Sequence, residues 1–290
     1  MSNIGIIGHG FVGKAVEYGF KGCHDVGHNI YIYDKYKYPE RPLQPLLDEC
    51  NIIFMCLPTP FNEDKLEIDL VIYDEMMDVV CQEIKGKGKI LVIKSTVVPG
   101  TTKKYGDKYP GVPMVFNPEF LTEANYLNDF VNTERIVVGG DNDWAVQTII
   151  MLYRSMPYFV DTPILKMSPT AAEVVKYQCN VLLATRVLIS NVFYDLCEEL
   201  DVNYEDVRKA VALDKRIGDS HISVTSERGI GGKCFPKDLG AAIGRCRELK
   251  IDAKLLEEVF DYNSRIRKIK DWHEIAGATV GGRVYKKDKK

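Results

Sequence analysis

The stretch Ile4-Gly5-Ile6-Ile7-Gly8-His9-Gly10-Phe11-Val12-Gly13 decides the fold of this chain. Its apolar run predicts a buried strand, and the glycines that follow have the spacing G-x-G-x-x-G before a helical period. The first glycine, Gly8, permits a tight turn, Gly10 lets a pyrophosphate approach the backbone, and Gly13 lets the helix pack on the strand. The sequence therefore predicts a dinucleotide-binding turn, with the pyrophosphate at the helix N-terminus.

An acidic residue supports this prediction. Asp34 closes the second predicted strand, 21 residues beyond Gly13, where a carboxylate can accept both ribose hydroxyls. The same carboxylate repels a 2′-phosphate, so NAD is favoured over NADP, and Lys35 beside it moderates that preference. FAD uses the same fingerprint, and a glycine turn that only packs is the structural alternative. We expect Phe11 and Val12 to join the glycines, Asp34 and Lys35 at the cofactor.

The first half of the chain alternates short β-like runs with helical periods, which favours a doubly wound parallel sheet. The predicted strands are Ile4–Ile7, Asn29–Tyr33, Asn51–Leu57, Lys89–Lys94, Met114–Phe116 and Arg135–Gly139. From Ser168 the pattern becomes α-helical, with a capping box at Ser168-Pro169-Thr170-x-x-Glu173 and one long helix to about Leu200. Further helices are predicted over Tyr204–Leu213, Pro236–Leu249 and Lys254–Lys270. We expect a Rossmann-type domain over 1–165, a helical domain over 166–278 and a polar tail over 279–290.

Composition excludes several classes of protein. The 290 residues are 46% hydrophobic and 27% charged with a net charge of −3, which gives no basic surface for nucleic acid. No signal peptide and no apolar run of membrane-spanning length is recognised, which favours a soluble, cytoplasmic protein. The eight cysteines contain no C-x-x-C pair, and with five histidines they offer no zinc spacing. We expect reduced thiols and no metal.

Two further strand ends fall at the carboxyl edge of the predicted sheet, where doubly wound folds bind ligands. One is Leu57-Pro58-Thr59-Pro60 and the other is Lys94-Ser95-Thr96. A simple turn is the alternative for the proline-flanked segment. We expect Pro58 and Thr59 near the cofactor and Thr96 near the nicotinamide.

One cysteine differs from the other seven. Cys234 follows Gly231-Gly232, precedes a predicted helix start at Pro236 and lies between Lys233 and Lys237. A helix N-terminus and nearby cations lower a thiol pKa and favour nucleophilic catalysis, although a buried structural thiol is the alternative. Asp238, one helical turn further on, would be within reach of a group bound at the sulfur.

Two polar pairs complete the candidate chemistry. Lys176 and Asn180 share one face of the long helix and could stabilise an oxyanion, or could form a solvated stripe. Glu119 and Glu123 follow a predicted strand, and one of them could be a general base for water. A helix-start acid is the alternative for that pair.

Together these residues resemble the UDP-glucose/GDP-mannose dehydrogenase family. The matching segments, in order, are Gly8-x-Gly10-x-Val12-Gly13, Pro58-Thr59-Pro60, Lys94-Ser95-Thr96-x-x-Pro99-Gly100, Asn117-Pro118-Glu119-Phe120-Leu121-x-Glu123, Arg135-Ile136-Val137-Val138-Gly139, Glu173-x-x-Lys176-x-x-x-Asn180 and Gly231-Gly232-x-Cys234-x-x-Lys237-Asp238. The resemblance implies a four-electron oxidation of a nucleotide sugar to a uronate with NAD, through a thiohemiacetal and a thioester on Cys234. UDP-glucose is the first substrate implied.

The resemblance also implies roles for individual residues. Lys176 and Asn180 would stabilise the oxyanion, Asp238 would assist proton transfers, Glu119 would be the base for hydrolysis and Thr96 would position a water. Glu123 and Lys237 would contact the cofactor. Substrate contacts are implied for Glu119, Phe120, Leu121, Glu123, Lys176, Asn180, Arg216 and Gly231. The long helix would form a homodimer.

The sequence departs from the family pattern at its end. Relatives continue into a third, nucleotide-binding domain, whereas here Val280-Gly281-Gly282-Arg283-Val284 resembles that domain's first strand shortly before residue 290. A partner chain or a neighbour in the oligomer could supply the missing half of the pocket. The alternatives are a different or weakly held substrate, or a protein that has lost turnover. Two other functions stay open: a two-domain dehydrogenase of the 3-hydroxyacid or 6-phosphogluconate type, and a non-catalytic NAD-binding subunit.

Overall fold

The computed structural model describes residues 2–22 and 27–280, and within them the chain forms nine strands and ten α-helices. The strands are β1 (Asn3–Ile7), β2 (Asn29–Tyr33), β3 (Ile52–Met55), β4 (Phe61–Asn62), β5 (Glu67–Ile68), β6 (Ile90–Ile93), β7 (Met114–Phe116), β8 (Ile136–Gly139) and β9 (Ile164–Met167). The helices are α1 (Phe11–Lys21), α2 (Gln44–Glu49), α3 (Val71–Ile84), α4 (Thr101–Lys108), α5 (Tyr126–Val131), α6 (Asp143–Arg154), α7 (Pro169–Glu199), α8 (Tyr204–Ala212), α9 (Phe235–Glu248) and α10 (Lys254–Ile266). The predicted α/β class is confirmed.

The described residues divide into two compact units. The first holds the residues up to Thr59 together with Asp69–Lys176, and the second holds Pro60–Ile68 together with the residues from Tyr177 onward. Residue 165, near which the domain boundary was predicted, lies in β9, a strand of the first unit's sheet, and the first unit continues to Lys176. The predicted tail strand lies almost wholly in residues 281–290, outside the described residues.

The first unit is built on a seven-stranded sheet with the order β2-β1-β3-β6-β7-β8-β9. All six strand pairs are parallel except β7 with β8, which are antiparallel and paired through Phe116 and Gly139. The sheet is therefore mostly parallel, in agreement with the predicted doubly wound class, and has one antiparallel pair. The six predicted strands are all present, but β9 was missed because it is short, its two central residues are exposed, and Lys166 interrupts its apolar residues.

Both faces of this sheet are covered, as a doubly wound fold requires. Alternate residues of one strand enter opposite cores: Phe54 packs in the cluster that contains Phe20, and Ile53 packs in the cluster that contains Met77. Strands of this kind read as continuous apolar runs because neither face meets water. This burial of both faces explains why the apolar runs of β3, β6, β7 and β8 were recognisable in the sequence.

The second unit is helical apart from a small hairpin. Its core contains Leu188, Leu239 and Ile243, with Leu66 and Phe260 packed against them. The hairpin β4–β5 forms the short antiparallel pair. We call residues 60–68 the hairpin segment.

Glycines let the hairpin segment lie close to α9. A Cβ at Gly240 would overlap the Phe61 ring, and a Cβ at Gly244 would overlap the Leu66 carbonyl. Phe61 also pairs with the last described residues, since its N–H donates to Ala278 and its carbonyl accepts from Val280. The hairpin segment is therefore fixed on two sides within its unit.

The start of α7 corrects one prediction. Ser168 caps the helix, and its Oγ accepts from the Ala171 N–H at 3.3 Å. Glu173 does not complete a capping box; its buried carboxylate instead accepts from the backbone of Gly100 and Thr102 and caps α4. The helix begins at Pro169, which places Glu173 too far along it to reach back to its own cap.

Among the described residues, α7 is long and apolar enough to cross a membrane by length and composition, with a mean hydropathy of 1.2 over its best window. The expectation that no segment reaches this length and hydropathy is therefore wrong for α7. Its polar residues Glu173, Lys176 and Asn191 are nevertheless buried in the protein, and each bonds to protein groups. Core helices of soluble proteins have the same character.

Candidate active site

The glycine turn between β1 and α1 has the backbone that the sequence predicts. Gly8 has a φ of +91°, and a Cβ there would overlap the carbonyl of Cys56. A Cβ at Gly13 would overlap the Gly8 carbonyl oxygen, whereas a Cβ at Gly10 would meet no atom within 4 Å. The turn is closed on the strand side and open at Gly10. This shape fits a pyrophosphate at the N-terminus of α1.

Asp34 follows β2 and bonds to the glycine turn. One carboxylate oxygen accepts from the His9 N–H at 2.8 Å, and the other accepts from the N–H groups of Tyr36 and Lys37 at 3.0 Å each. Burial raises the pKa of Asp34, but these hydrogen bonds and the Lys37 ammonium outweigh it, so the pKa lies below its usual value. An ionised carboxylate beside the turn fits a ribose and opposes a 2′-phosphate.

Two groups beside this turn were missed by sequence reasoning. The His9 ring is buried and lies between the Tyr38 hydroxyl at 3.1 Å and the Glu17 carboxylate at 2.7 Å. The Lys37 ammonium donates to the His9 carbonyl. No sequence spacing identifies these two residues, because their contacts join the glycine turn to the distant segment after β2. The three predicted neighbours differ in burial: Lys35 and Phe11 are exposed, and Val12 is half-buried.

The two predicted strand ends meet at the edge of the sheet. The Ser95 hydroxyl accepts from the Leu57 N–H at 2.8 Å, and the Thr59 hydroxyl donates to the Thr96 carbonyl at 2.9 Å. Thr59 is buried, and Pro58 and Thr96 are half-buried. These contacts place Pro58, Thr59 and Thr96 together after β3 and β6, in the first unit.

A buried ion pair joins the segment after β7 to α7. Lys176 Nζ lies 2.9 Å from Glu119 Oε1 and donates to the Glu119 carbonyl at 2.8 Å, while the other carboxylate oxygen accepts from the Leu121 N–H. Burial raises the pKa of Glu119, but the Lys176 ammonium and the Leu121 N–H outweigh it and hold the pKa below its usual value. Glu119 is therefore an ionised carboxylate at neutral pH, able to accept a proton.

Lys94, directly after β6, supports the same segment. Its ammonium donates to Asn117 Oδ1 at 2.9 Å and to the Asn117 carbonyl at 3.2 Å, and it lies 3.4 Å from the Tyr153 hydroxyl. Burial lowers the pKa of Lys94 to about 8. A cavity of about 20 Å³ lies beside Lys94, Asn117, Glu119 and Tyr153, which is room for about one water.

The remaining residues of this segment differ in burial. Phe120 is half-buried, and the Arg135 guanidinium lies 4.2 Å from its ring centre. Leu121 is half-buried, whereas Glu123 is exposed. Glu119 and Glu123 both precede α5, so neither is an acid of that helix's first turn.

In the second unit, Asp238 is bonded on both sides. The Asn180 amide donates to one carboxylate oxygen at 2.5 Å, and the Lys237 ammonium pairs with the other. Asp238 is 1% exposed, so these two partners supply hydrogen bonds that its carboxylate cannot obtain from water. The structure thus brings Asn180 to the predicted pair Lys237 and Asp238, and Asn180 lies 58 positions from Asp238 in the sequence.

Cys234 is the N-cap residue of α9, and the Asp238 N–H donates to its carbonyl. Its side chain is half-buried, whereas burial raises the thiol pKa of Cys50, Cys56 and Cys81 to about 12. Those three thiols are protonated at neutral pH and are poor nucleophiles. Cys179 and Cys246 are half-buried like Cys234, but of these three only Cys234 lies at a helix N-terminus.

Two further predicted residues precede this helix start in the sequence. Gly231 is half-buried in the loop before Cys234. Arg216 is exposed, and its guanidinium bonds to the Asp214 carboxylate at 2.6 Å. No group of three or more metal-ligating side chains occurs in residues 2–22 and 27–280.

The fold and the glycine turn define a dinucleotide-binding protein of the doubly wound α/β class, with a helical unit that carries a helix-capping cysteine. Comparison with known proteins narrows this class. Residues 41–157 match the NAD binding domain of the UDP-glucose/GDP-mannose dehydrogenase family, and residues 170–265 match its central domain.

Individual relatives agree with this result. The chain is 31% identical over 226 residues to the UDP-glucose 6-dehydrogenase AglM of Haloferax volcanii, which covers 72% of this chain and 51% of that protein. It superposes on a UDP-glucose dehydrogenase structure from Pyrobaculum islandicum with a TM-score of 0.78 and 30% identity, over 91% of this chain and 68% of the other. A 3-hydroxyisobutyrate dehydrogenase structure from Mycobacterium tuberculosis shares the fold at 15% identity, with a TM-score of 0.69, over 91% of this chain and 93% of that one.

The chain belongs to the UDP-glucose/GDP-mannose dehydrogenase family, and its N-terminal domain is the family's NAD-binding domain. The chain spans about half the length of the curated relatives it matches.

Proposed function

We propose that this chain catalyses the NAD-dependent, four-electron oxidation of a nucleotide sugar's C6 alcohol to a carboxylate, with UDP-glucose as the preferred substrate. The observation that carries the proposal is the position of Cys234 at the start of α9, one turn before Asp238 with its partners Asn180 and Lys237. A simple alcohol dehydrogenase needs no such cysteine. Two oxidations of one carbon need a means to retain the aldehyde between them.

Residues beside the glycine turn would hold the cofactor. Gly8, Gly10 and Gly13 shape the turn, Asp34 would accept the ribose hydroxyls, and Thr59 and Thr96 lie at the sheet edge. NAD, when bound, accepts the hydride in each of the two oxidations, so two NADH form for each sugar.

The covalent chemistry belongs to Cys234. Loss of a proton and a hydride converts the alcohol to an aldehyde, and the Cys234 sulfur adds to its carbonyl carbon while the oxygen gains a proton. Loss of a second proton and hydride converts this thiohemiacetal to a thioester. Water then adds to the acyl carbon, the carbon–sulfur bond breaks, and the carboxylate leaves as the thiol regains its proton.

Other side chains would serve these steps. The Lys176 ammonium and the Asn180 amide lie one turn apart on α7 and would donate to the oxyanion. The ionised Glu119 would take the proton of the attacking water, and Asp238 would assist proton transfer at the sulfur. Thr96 would position that water, and Glu123 and Lys237 would contact the cofactor.

The remaining predicted residues would bind the sugar nucleotide. Phe120, Leu121 and Gly231 would contact the substrate through side chain or backbone. Arg216 would bind its phosphates, because a guanidinium forms paired hydrogen bonds with phosphate oxygens.

The test is a stoichiometry measurement. Purified protein is incubated with NAD and UDP-glucose, NADH is followed by absorbance, and NADH is counted per sugar consumed for wild type, Cys234→Ser and Cys246→Ser. Cys246 is a matched control because it is also a half-buried thiol and lies on the same helix, α9. Two NADH per sugar, lost in Cys234→Ser and kept in Cys246→Ser, is the expected result.

Other outcomes favour the two alternatives. One NADH per substrate, with Cys234→Ser active on a 3-hydroxyacid or on 6-phosphogluconate, would favour a two-electron dehydrogenase, whose fold this chain shares. No NADH, while NAD still raises the melting temperature, would favour a binding subunit or an enzyme that needs a partner chain for the nucleotide.

We also propose a homodimer in the cytoplasm. Four large side chains on one face of α7 are about half exposed, namely Leu182, Ile189, Phe193 and Leu196. Their spacing forms a continuous apolar stripe at helical period, which a second copy could cover. Sedimentation should give twice the monomer mass at micromolar protein, and Phe193→Glu should give the monomer; a wild-type monomer would contradict the proposal.

A further inference from the structure

The loop before Cys234 is held in an uncommon backbone conformation. Arg228, Gly229 and Gly232 have φ values of +57°, +54° and +71°. A non-glycine residue at positive φ costs free energy and persists only where the surroundings fix it. The contacts that fix this loop therefore also set where α9 begins, and with it the position of the Cys234 sulfur. We call residues 228–232 the cysteine loop.

Asn263 of α10 holds the middle of the cysteine loop. Its Oδ1 accepts from the Ile230 N–H at 2.8 Å, and its Nδ2 donates to the Ile230 carbonyl at 3.2 Å. The amide thus satisfies both backbone groups of one residue, as a neighbouring strand would. Asn263 is 2% exposed, and a Cβ at Gly229 would overlap its Oδ1, so the loop needs glycine to accept this amide.

Asp271 holds the end of the cysteine loop, next to the nucleophile. One carboxylate oxygen accepts from the Gly232 N–H at 2.9 Å, and the other accepts from Arg267 Nη2 at 2.9 Å. Arg267 in turn donates to the Arg228 carbonyl at 2.9 Å. A Cβ at Gly231 would overlap both the Arg267 guanidinium and the Asp271 carboxylate. Gly231 is therefore required by the two side chains packed against it, whereas Gly232 is required by its positive φ, since a Cβ there would meet no atom within 4 Å.

The segment that carries Asp271 is itself anchored. Glu63 of the hairpin segment accepts hydrogen bonds from Lys270 at 2.5 Å and Trp272 at 3.2 Å, and its carboxylate lies 2.6 Å from His273 Nε2. The residues on both sides of Asp271 are thus bonded to Glu63, between β4 and β5 in the hairpin segment. A carboxylate held in this way cannot follow the loop, so the loop must conform to it.

We infer that Asp271 and Asn263 are positioning residues for Cys234: they fix the cysteine loop from outside and place the sulfur for attack on the substrate carbonyl. The inference rests on the proposed function for its catalytic consequence. Its geometric part concerns only the cysteine loop and the start of α9.

Two variants separate geometry from charge at Asp271. Asp271→Asn keeps an oxygen at the distance that Gly232 N–H needs and removes the charge, whereas Asp271→Glu keeps the charge and moves it by one methylene. Glu248→Gln is the control, because it removes an exposed carboxylate that pairs with Arg245 at the far end of α9. Each protein is measured for kcat and KM with NAD and UDP-glucose, for the rate of Cys234 alkylation by iodoacetamide, and for melting temperature.

If Asp271 positions the loop, Asp271→Glu lowers kcat about tenfold or more with an unchanged KM for NAD, since small misplacements of a reacting group cost at least this much. Alkylation of Cys234 slows severalfold. Asp271→Asn keeps the acceptor for the Gly232 N–H but loses the acceptor for Arg267, so it is impaired less than Asp271→Glu, whereas Glu248→Gln keeps the wild-type kcat and alkylation rate. The reverse result, a wild-type kcat in Asp271→Glu and a lowered kcat in Asp271→Asn, would indicate that Asp271 acts only through its charge on Arg267. Wild-type kcat and alkylation in both variants would refute the inference.

The alkylation rate keeps this test separate from the proposed function. If wild-type protein forms no NADH, the proposed function fails. A slower reaction of Cys234 in Asp271→Glu than in Asp271→Asn would still support positioning of the thiol. Equal alkylation rates in all four proteins would then refute it.

Discussion

Replacement of Lys94 by methionine gives a sharp test of the buried site, because the ammonium is enclosed and its pKa is lowered by burial from 10.5 to about 8. Between these pH values the unfolded chain binds a proton at this site and the folded chain does not, so stability rises with pH. The whole effect is about 3 kcal/mol, since one pKa unit corresponds to about 1.4 kcal/mol. At neutral pH the Lys94 side chain is still protonated in the folded protein, and burial of this charge lowers the free energy of unfolding by about 3 kcal/mol.

The expected result is a difference between two pH dependences. From about pH 7.5 to about pH 9.5 the free energy of unfolding of wild type should rise by about 2 kcal/mol relative to Lys94→Met. Wild type must be compared with Lys94→Met because other groups also make stability depend on pH. Burial raises the pKa of Cys50, Cys56 and Cys81 to about 12, so these thiols lower the stability of both proteins as pH rises above 9. Urea unfolding followed by circular dichroism gives both values.

A control corrects for net charge. Lys103→Met removes one positive charge from the exposed face of α4. A wild-type minus Lys94→Met difference that stays constant over this range would refute the assignment of a desolvated ammonium at Lys94.

Three further outcomes are expected. Gly13→Ala should weaken NAD binding at least tenfold by calorimetry, because the new methyl overlaps the Gly8 carbonyl and displaces the start of α1; an unchanged Kd would contradict this. Glu119→Gln should lower stability by about 3–5 kcal/mol at pH 7, because it removes the buried negative charge that lies 2.9 Å from the Lys176 ammonium. Since the folded pKa of Glu119 is lowered, this difference should fade as pH falls below 4.5, and equal melting temperatures at pH 7 would contradict it. Gly240→Ala should release the hairpin segment by displacing Phe61, seen as faster proteolysis within residues 60–68, and cost about 1–3 kcal/mol.

The sequence predicted the elements whose signal is local. The strands with both faces buried are apolar runs, and the glycine turn has a fixed spacing because backbone conformation alone imposes it. The candidate residues Cys234, Asp238, Lys176 and Asn180 were recognisable because helical period places each pair one turn apart.

What the sequence missed depends on contacts between distant segments. β9 has no apolar run, and the hairpin segment was given no place in the second unit because it lies between two elements of the first. Glu173 was assigned to its own helix but caps α4 instead. Local spacing cannot distinguish these cases, since the same residue can satisfy a near or a distant backbone group.

The sequence by itself determined that a dinucleotide turn, a doubly wound sheet and one distinctive cysteine occur in this chain, because each is indicated by a pattern of residues close together in the sequence. Only the tertiary structure decided which side chains hold them. Asn263 and Asp271 meet the cysteine loop from 33 and 39 residues away, and Lys94 reaches Asn117 across the sheet. Buried polar groups must find partners wherever the fold places them, and that requirement leaves no periodic mark on the sequence.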